Sequence, residues 1–206
     1  MESFERLRGF DEAYGPMLAG VDEAGRGPWA GPVVAAAVIL NPADTGGLEG
    51  LNDSKKLTEK KREEFFDAII RCSISYAIAE ASCTVIDSCN ILAATMDCMR
   101  QAVKKLSPQP AFVIVDGNRL PELEGMKAKT ITGGDAKSLS IAAASVLAKV
   151  YRDRVMRNYD RIYPGYGFAS HKGYGTAEHI KALEKMGITQ IHRKSYKPVG
   201  KYVNKS

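Results

Sequence analysis

Leu18-Ala19-Gly20-Val21-Asp22-Glu23-Ala24-Gly25-Arg26-Gly27 decides the fold, because an apolar strand runs there straight into two acids and a glycine turn. Leu18 to Val21 reads as the end of a short buried strand. Asp22 and Glu23 stand where that strand opens into a loop. Side chains alternate along a strand, so both acids face one site only if the backbone turns or one reaches round. Adjacent carboxylates repel unless a cation neutralises them. Oxygen ligands with no His or Cys nearby suit a hard divalent ion such as Mg²⁺ or Mn²⁺. Gly25-Arg26-Gly27 adds backbone N–H groups and a guanidinium, both partners for phosphate or sugar oxygens. Acids for metal beside donors for phosphate point to metal-assisted phosphodiester chemistry; a charged β-turn is the plain alternative.

Working outward, Pro32 to Leu40 reads as a fully buried strand, and residues 41–47 as a loop. Thr58 caps a helix to about Arg71, with Phe65/Ile69 and Phe66/Ile70 as i,i+4 pairs. Ser75 to Ala81 alternates like a strand. Cys89, Leu92, Met96, Met99, Val103 and Leu106 fall three or four apart, a helical core stripe over Val85 to Leu106. Ala111 to Val115 is a buried strand ending at Asp116-Gly117. A weaker strand, Lys127 to Thr132, leads through Gly133-Gly134-Asp135 into a long helix to about Tyr159. Thr176 and Gly187 frame a final short helix. Strands in succession, then strands alternating with helices, predict an α/β layer fold with a mixed sheet.

The 206 residues suffice for one sizeable core, and 45% hydrophobic with 26% charged residues is ordinary globular composition. The longest apolar run, Val33 to Leu40, is too short to cross a bilayer, and no secretory signal is evident at the N-terminus. A cytoplasmic location with no membrane partner is expected. Cys72, Cys83, Cys89 and Cys98 form no C-x-x-C pair and read as reduced, partly buried small hydrophobes. His171, His179 and His192 lack the spacing of a zinc site. Charge is uneven. Residues 1–106 carry 12 Lys/Arg against 16 Asp/Glu, and residues 107–206 carry 17 against 8. The second half therefore favours an anionic partner, nucleic acid first.

Asp116 ends its strand as Asp22 ends the first, and buried strands finishing on acids deliver carboxylates to one sheet edge. Asp135 stands where a helix N-cap belongs, so capping competes with metal binding for it. Asp22, Glu23, Asp116 and Asp135 together supply enough oxygen ligands for two divalent ions, the arrangement that activates a water and stabilises a leaving oxygen. Ser138, Ser145, Lys149 and Arg152 lie at offsets 0, 7, 11 and 14, a narrow arc of the long helix. That row is either a solvated face or a track for a phosphate backbone.

Gly20 to Gly27, Pro28-Trp29-Ala30-Gly31-Pro32, Asp53-Ser54-Lys55-Lys56-Leu57, Val115-Asp116-Gly117 and Gly134-Asp135-Ala136-Lys137 together resemble bacterial ribonuclease HII, the type 2 ribonuclease H. Ala142 to Asp153, His171-Lys172-Gly173-Tyr174 and His192 to Val199 extend the resemblance, in the expected order, over residues 17–199. It implies an α/β, RNase H-like fold: a mixed five-stranded sheet flanked by helices, with a small helical C-terminal part. Residues 17–199 are then a single catalytic domain, 1–16 an N-terminal extension and 200–206 a basic tail. It lacks the large N-terminal domain of ribonuclease HIII and the long C-terminal extension of some relatives.

The resemblance further implies an endonuclease of RNA–DNA hybrids. It also implies nicking 5′ to a single ribonucleotide in duplex DNA, with 3′-hydroxyl and 5′-phosphate products, as in ribonucleotide excision repair. The family's catalytic and metal-binding acids fall on Asp22, Glu23, Asp116 and Asp135, with Mn²⁺ or Mg²⁺ as cofactor. By the same resemblance Gly25, Arg26 and Gly27 read the ribose 2′-hydroxyl, Ser54 and Lys55 bind phosphate, and Tyr174 packs on the sugar beyond the scissile bond. Ser145 and Lys149 join the substrate-binding set from the helix row, and a monomer is expected. Two rivals are weaker. A binding module leaves the four acids unexplained. A Rossmann loop at Gly25-x-Gly27-x-x-x-Gly31 is opposed by Pro28, Pro32 and the β-rich run that follows.

Overall fold

The computed structural model describes residues 2–52, 54 and 57–203, with side chains from Phe4 onward. β1 (Leu18–Ala24) is the middle strand of a five-stranded sheet. β2 (Val33–Leu40) and β3 (Ser73–Ala81) pair antiparallel on one side of it. β4 (Phe112–Asp116) and β5 (Ala128–Ile131) continue parallel on the other, giving the order β3-β2-β1-β4-β5. The glycine loop thus joins two antiparallel strands, which removes the helix a dinucleotide-binding loop has to open.

Both sheet faces are covered, so all eight residues of β2 are buried. Val33, Ala35, Ala37 and Ile39 meet α3 (Cys83–Cys89) and α4 (Ile91–Lys104). Val34, Ala36, Val38 and Leu40 meet α2 (Glu59–Cys72) and α5 (Leu139–Ile162). Thr58 caps α2, its hydroxyl accepting from the Lys61 N–H. At Gly20 a Cβ would sit 2.2 Å from the Ser140 carbonyl carbon, so glycine is what lets α5 lie this close to β1. Beyond α5, the short helices α6 (Phe168–His171) and α7 (Ala177–Met186) gather on a separate cluster around Phe168, Tyr166, Met156 and Leu183, and α8 (Lys197–Gly200) follows near the end of the described chain.

Several elements differ from expectation. The helical stripe over Val85 to Leu106 is two helices, because Asn90 adopts φ 73° and its side chain caps α4 through the Leu92 and Ala93 N–H groups. Cys89 is accordingly exposed, whereas Met99, Val103 and Leu106 are buried. The N-cap of α5 is Ser138, which accepts from the Ile141 N–H; Asp135 lies earlier, in the 3-10 turn Gly134–Ala136. That helix runs past Tyr159 to Ile162, and α7 is followed by α8. The first residues form α1 (Glu2–Glu12), which buries Phe4 and Leu7 in the core. Asp11 there accepts from both the N–H and the hydroxyl of Ser140. No helix among the described residues is long and apolar enough to cross a membrane.

Candidate active site

The parallel register pairs Val21 with Val115, so Asp22 and Asp116 come next, side by side; β4 ends at Asp116, whereas β1, paired with β2, runs on past Asp22 to Ala24 rather than opening into the loop there. Val21 and Val115 face α4, which turns Asp22 and Asp116 toward α5. Glu23 alternates back toward α4. Asp135 follows β5 in the 3-10 turn, whose Gly134 N–H donates to Asp116 Oδ1 at 2.6 Å. All four acids border one cavity of about 260 Å³. Gly25, Arg26 and Gly27 line it from the loop, Ser145 and Lys149 from α5, and Ser54 and Tyr174 from elsewhere. Lys55 lies outside the described residues.

Electrostatics mark this cavity as a place for positive charge. Asp22 is 6% exposed, and its carboxyl is pushed well above the usual carboxylate range by burial, then by the neighbouring Glu23, Asp116 and Asp135 charges. Burial also raises Glu23, opposed by Arg26, whose Nη1 lies 3.4 Å from Glu23 Oε1. Lys149 is lowered by burial against its ion pair to Asp153 at 2.6 Å. Among the described residues no three His, Cys, Asp or Glu side chains are drawn together tightly enough to hold an ion as they stand. The donor set is all oxygen, and a pocket that drives Asp22 toward protonation is one a hard divalent cation fits.

The row on α5 separates into two roles. Ser145 donates to the Ser54 hydroxyl at 2.7 Å and Lys149 reaches the cavity. Ser138 is buried as the cap, and Arg152 is 1% exposed, donating to the carbonyls of Pro32, Lys172 and Ala30. Arg152 therefore ties the backbone together more than it tracks a phosphate. Its pKa is lowered to about 10 by burial and then by the nearby Arg193 charge.

Arg193, one of the surplus cations of the second half, is fully buried. It donates to Gly25 O (2.5 Å), Arg26 O (2.8 Å) and Gly31 O (2.9 Å), and Tyr196 Oη donates to Arg26 O at 2.7 Å. Its place inside the His192 to Val199 motif is the only sequence signal that it belongs with the loop. Further along the basic surplus, Arg154 and Arg157 pair with Glu63, and Arg157 also with Glu59, joining α5 to α2.

The sequence model of the family described as Ribonuclease HII matches residues 19–199. This chain belongs to the ribonuclease HII family. Ribonuclease HII of Acinetobacter baylyi is 53% identical over 188 residues, spanning 91% of this chain and 98% of that protein. Ribonuclease HII of Idiomarina loihiensis is 54% identical over 183 residues, 89% and 96% of the two chains. The crystal structure of ribonuclease H2 from Pyrococcus horikoshii OT3 superposes with a TM-score of 0.79 at 27% identity, covering 91% of this chain and 97% of that one. As a ribonuclease HII family member the chain is a ribonuclease H, a nuclease of the hydrolase class with the RNase H-like fold.

Proposed function

We propose that the chain hydrolyses the RNA strand of RNA–DNA hybrids and nicks DNA duplexes 5′ to a single embedded ribonucleotide, leaving 3′-hydroxyl and 5′-phosphate ends. Residues 17–199 form the catalytic unit, acting as a monomer in the cytoplasm on ribonucleotides misplaced in DNA; four free thiols suit a reducing compartment. The observation that carries the reading is a single cavity bordered by the strand-end acids, the Gly25–Gly27 loop and Tyr174. Acids alone would repel a phosphodiester, and the loop alone would only bind one.

Recognition falls to the loop. Carbonyl and following N–H point opposite ways across a trans peptide. With the Gly25 and Arg26 carbonyls turned to Arg193, the N–H groups of Arg26 and Gly27 point away from it. A ribose 2′-hydroxyl, the group that tells RNA from DNA at one nucleotide, is a fitting partner for them. Tyr174 is half exposed, and its ring lies 3.4 Å from where a Gly27 Cβ would be. It is positioned to stack on the neighbouring sugar. Ser54, Lys55, Ser145 and Lys149 hold flanking phosphates of the cut strand.

Asp22, Glu23, Asp116 and Asp135 would hold a pair of divalent ions, Mg²⁺ or Mn²⁺, whose chemistry when bound is to acidify water and stabilise a departing oxygen. The chain's part is to aim the carboxylates. The Gly134 N–H does so for Asp116 and the Glu23 N–H for Asp22, at 2.6 and 2.7 Å. The decisive experiment is cleavage-site mapping on a duplex with one ribonucleotide, with Mg²⁺ and Mn²⁺ in turn. A nick on the 5′ side of the ribonucleotide is expected. Cutting of the all-DNA control, or no cut at the ribonucleotide with either metal, would overturn the reading.

A further inference from the structure

Arg193 is fully buried, yet its guanidinium is spent on carbonyl oxygens and one phenol rather than on a carboxylate. Burying a charge without an opposite charge is costly, so such a residue survives where the backbone it gathers has to be held in one shape. The backbone gathered here is the Gly25–Gly31 loop, bound at both ends. Gly25 O and Arg26 O are held at the entrance and Gly31 O at the exit, where Nε and Nη2 approach to 3.1 and 2.9 Å. Tyr196 completes the clamp. Its hydroxyl accepts from Arg193 Nη1 at 2.9 Å and donates to Arg26 O at 2.7 Å, with the guanidinium 5.2 Å from its ring centre. The Arg193 N–H donates in turn to Trp29 O, and His192 bridges to Ala30.

We propose that Arg193 and Tyr196 are positioning residues for ribose recognition: they lock the peptides of Gly25 and Arg26 so that the Arg26 and Gly27 N–H groups meet one nucleotide, and so select the bond to be cut. This rests on the reading of the loop given under the proposed function. A purely structural tie accounts for the same hydrogen bonds, and the two accounts part on where the enzyme cuts. A molecule whose fold is merely less stable still cuts at the usual bond, only with fewer active copies. A loosened loop moves the cut.

The test compares the wild-type protein with Tyr196→Phe and Arg193→Lys. Two substrates serve, a uniform RNA–DNA hybrid and a DNA duplex carrying a tract of four ribonucleotides, and thermal unfolding is measured alongside. Tyr196→Phe removes one hydroxyl from a partly exposed ring and should keep its melting temperature. Its kcat/KM should fall about 10-fold, the equivalent of one lost hydrogen bond. Its cuts within the tract should spread to neighbouring bonds, and Arg193→Lys should show both effects more strongly. Unchanged cut positions in Tyr196→Phe, with kcat/KM unchanged or reduced only in step with the folded fraction, would overturn the proposal. Tyr196→Phe decides this even if Arg193→Lys does not fold. Wild-type protein that cleaves the hybrid but ignores ribonucleotides in DNA would instead count against the substrate reading, and the hybrid's cut pattern then decides the clamp.

Discussion

Asp22 and Asp116 lie on neighbouring parallel strands, each one step beyond the paired residues Val21 and Val115, and therefore present two carboxylates from the same face of one end of the sheet. An ionised Asp22 is unfavourable in the protein alone: burial first, and then the Glu23 and Asp116 charges, raise its carboxyl. A carboxyl whose folded pKa lies above its unfolded value costs stability progressively as pH climbs from the unfolded pKa through the folded one. At neutral pH in the presence of a chelator, Asp22→Asn should therefore melt above wild type, by roughly 2–4 °C for each kcal/mol relieved in a chain this size. The gain should shrink toward pH 4 and vanish below it. A calorimetric scan showing Asp22→Asn less stable at pH 7 would refute the account of a buried carboxylate held at a cost.

Asp116→Asn separates chemistry from folding. The Asp116 Oδ1 that accepts from the Gly134 N–H has an amide oxygen as its natural replacement, so the turn leading to Asp135 should persist. Cleavage should drop to below about a thousandth of wild type, because the substituted amide carries no charge for a cation. Circular dichroism and a melting curve close to wild type, beside that loss, are the expected pair of results. Turnover near wild type with added Mn²⁺ would remove Asp116 from the catalytic set.

The strands and the acids are legible in the sequence because their signals are local. Val33 to Leu40 is apolar throughout, and Asp22 and Asp116 each end an apolar run. The caps Thr58 and Thr176 and the stop at Gly187 can be read for the same reason. What escapes depends on distant partners. Nothing local marks Arg152 and Arg193 as buried cations; only folding brings the carbonyls of residues 25–32 around them. The break at Asn90 is hidden because the apolar spacing runs on through it, while the turn is fixed by a side chain capping the next helix. Asp135 looks like a cap because it stands just before the long helix, but the chain makes a 3-10 turn there and Ser138, three residues on, takes the position.

The three histidines, separated in sequence by up to 21 residues, meet in a buried stack, His171 over His179 at 4.6 Å between ring centres. The Thr189 N–H lies 2.8 Å from His192 Nδ1, His192 Nε2 is 2.9 Å from His179 Nε2, and His179 Nδ1 is 3.0 Å from Tyr174 O. Neutral rings satisfy this chain in one direction, each donating onward to the Tyr174 carbonyl; a proton added between the rings sets two donors face to face. Burial, with the neighbouring rings, lowers both His179 and His192 to about 4. The stability they confer is therefore complete above about pH 6.5 and is lost as pH falls toward 4, each ring adding a slope of about 1.4 kcal/mol per pH unit. The imidazole signals of His179 and His192 followed by NMR should stay neutral to well below pH 6. Ordinary titration near 6.5 would show that the rings do not hold Tyr174 in this way.

Gly25 and Gly27 flank the same arginine but should fail differently when replaced by alanine. Gly25 has φ +95°, and a Cβ there would lie 2.0 Å from Arg152 Nε and 2.8 Å from Pro32 O. Alanine has to adopt a conformation L residues avoid and also push Arg152 off the carbonyls it binds, a cost of about 3 kcal/mol or more. Gly25→Ala should therefore unfold roughly 6–12 °C below wild type. At Gly27 the nearest atom to a new Cβ is Tyr174 Cε1 at 3.4 Å, an ordinary contact. Gly27→Ala should keep its melting temperature and lose kcat/KM by at least about 10-fold, because the methyl projects beside the Gly27 N–H and the Tyr174 ring to which the proposed function assigns the ribose. If Gly27→Ala cleaves like wild type, the ribose does not pack against Gly27; if Gly25→Ala is as stable as wild type, the loop is not seated on Arg152 as found.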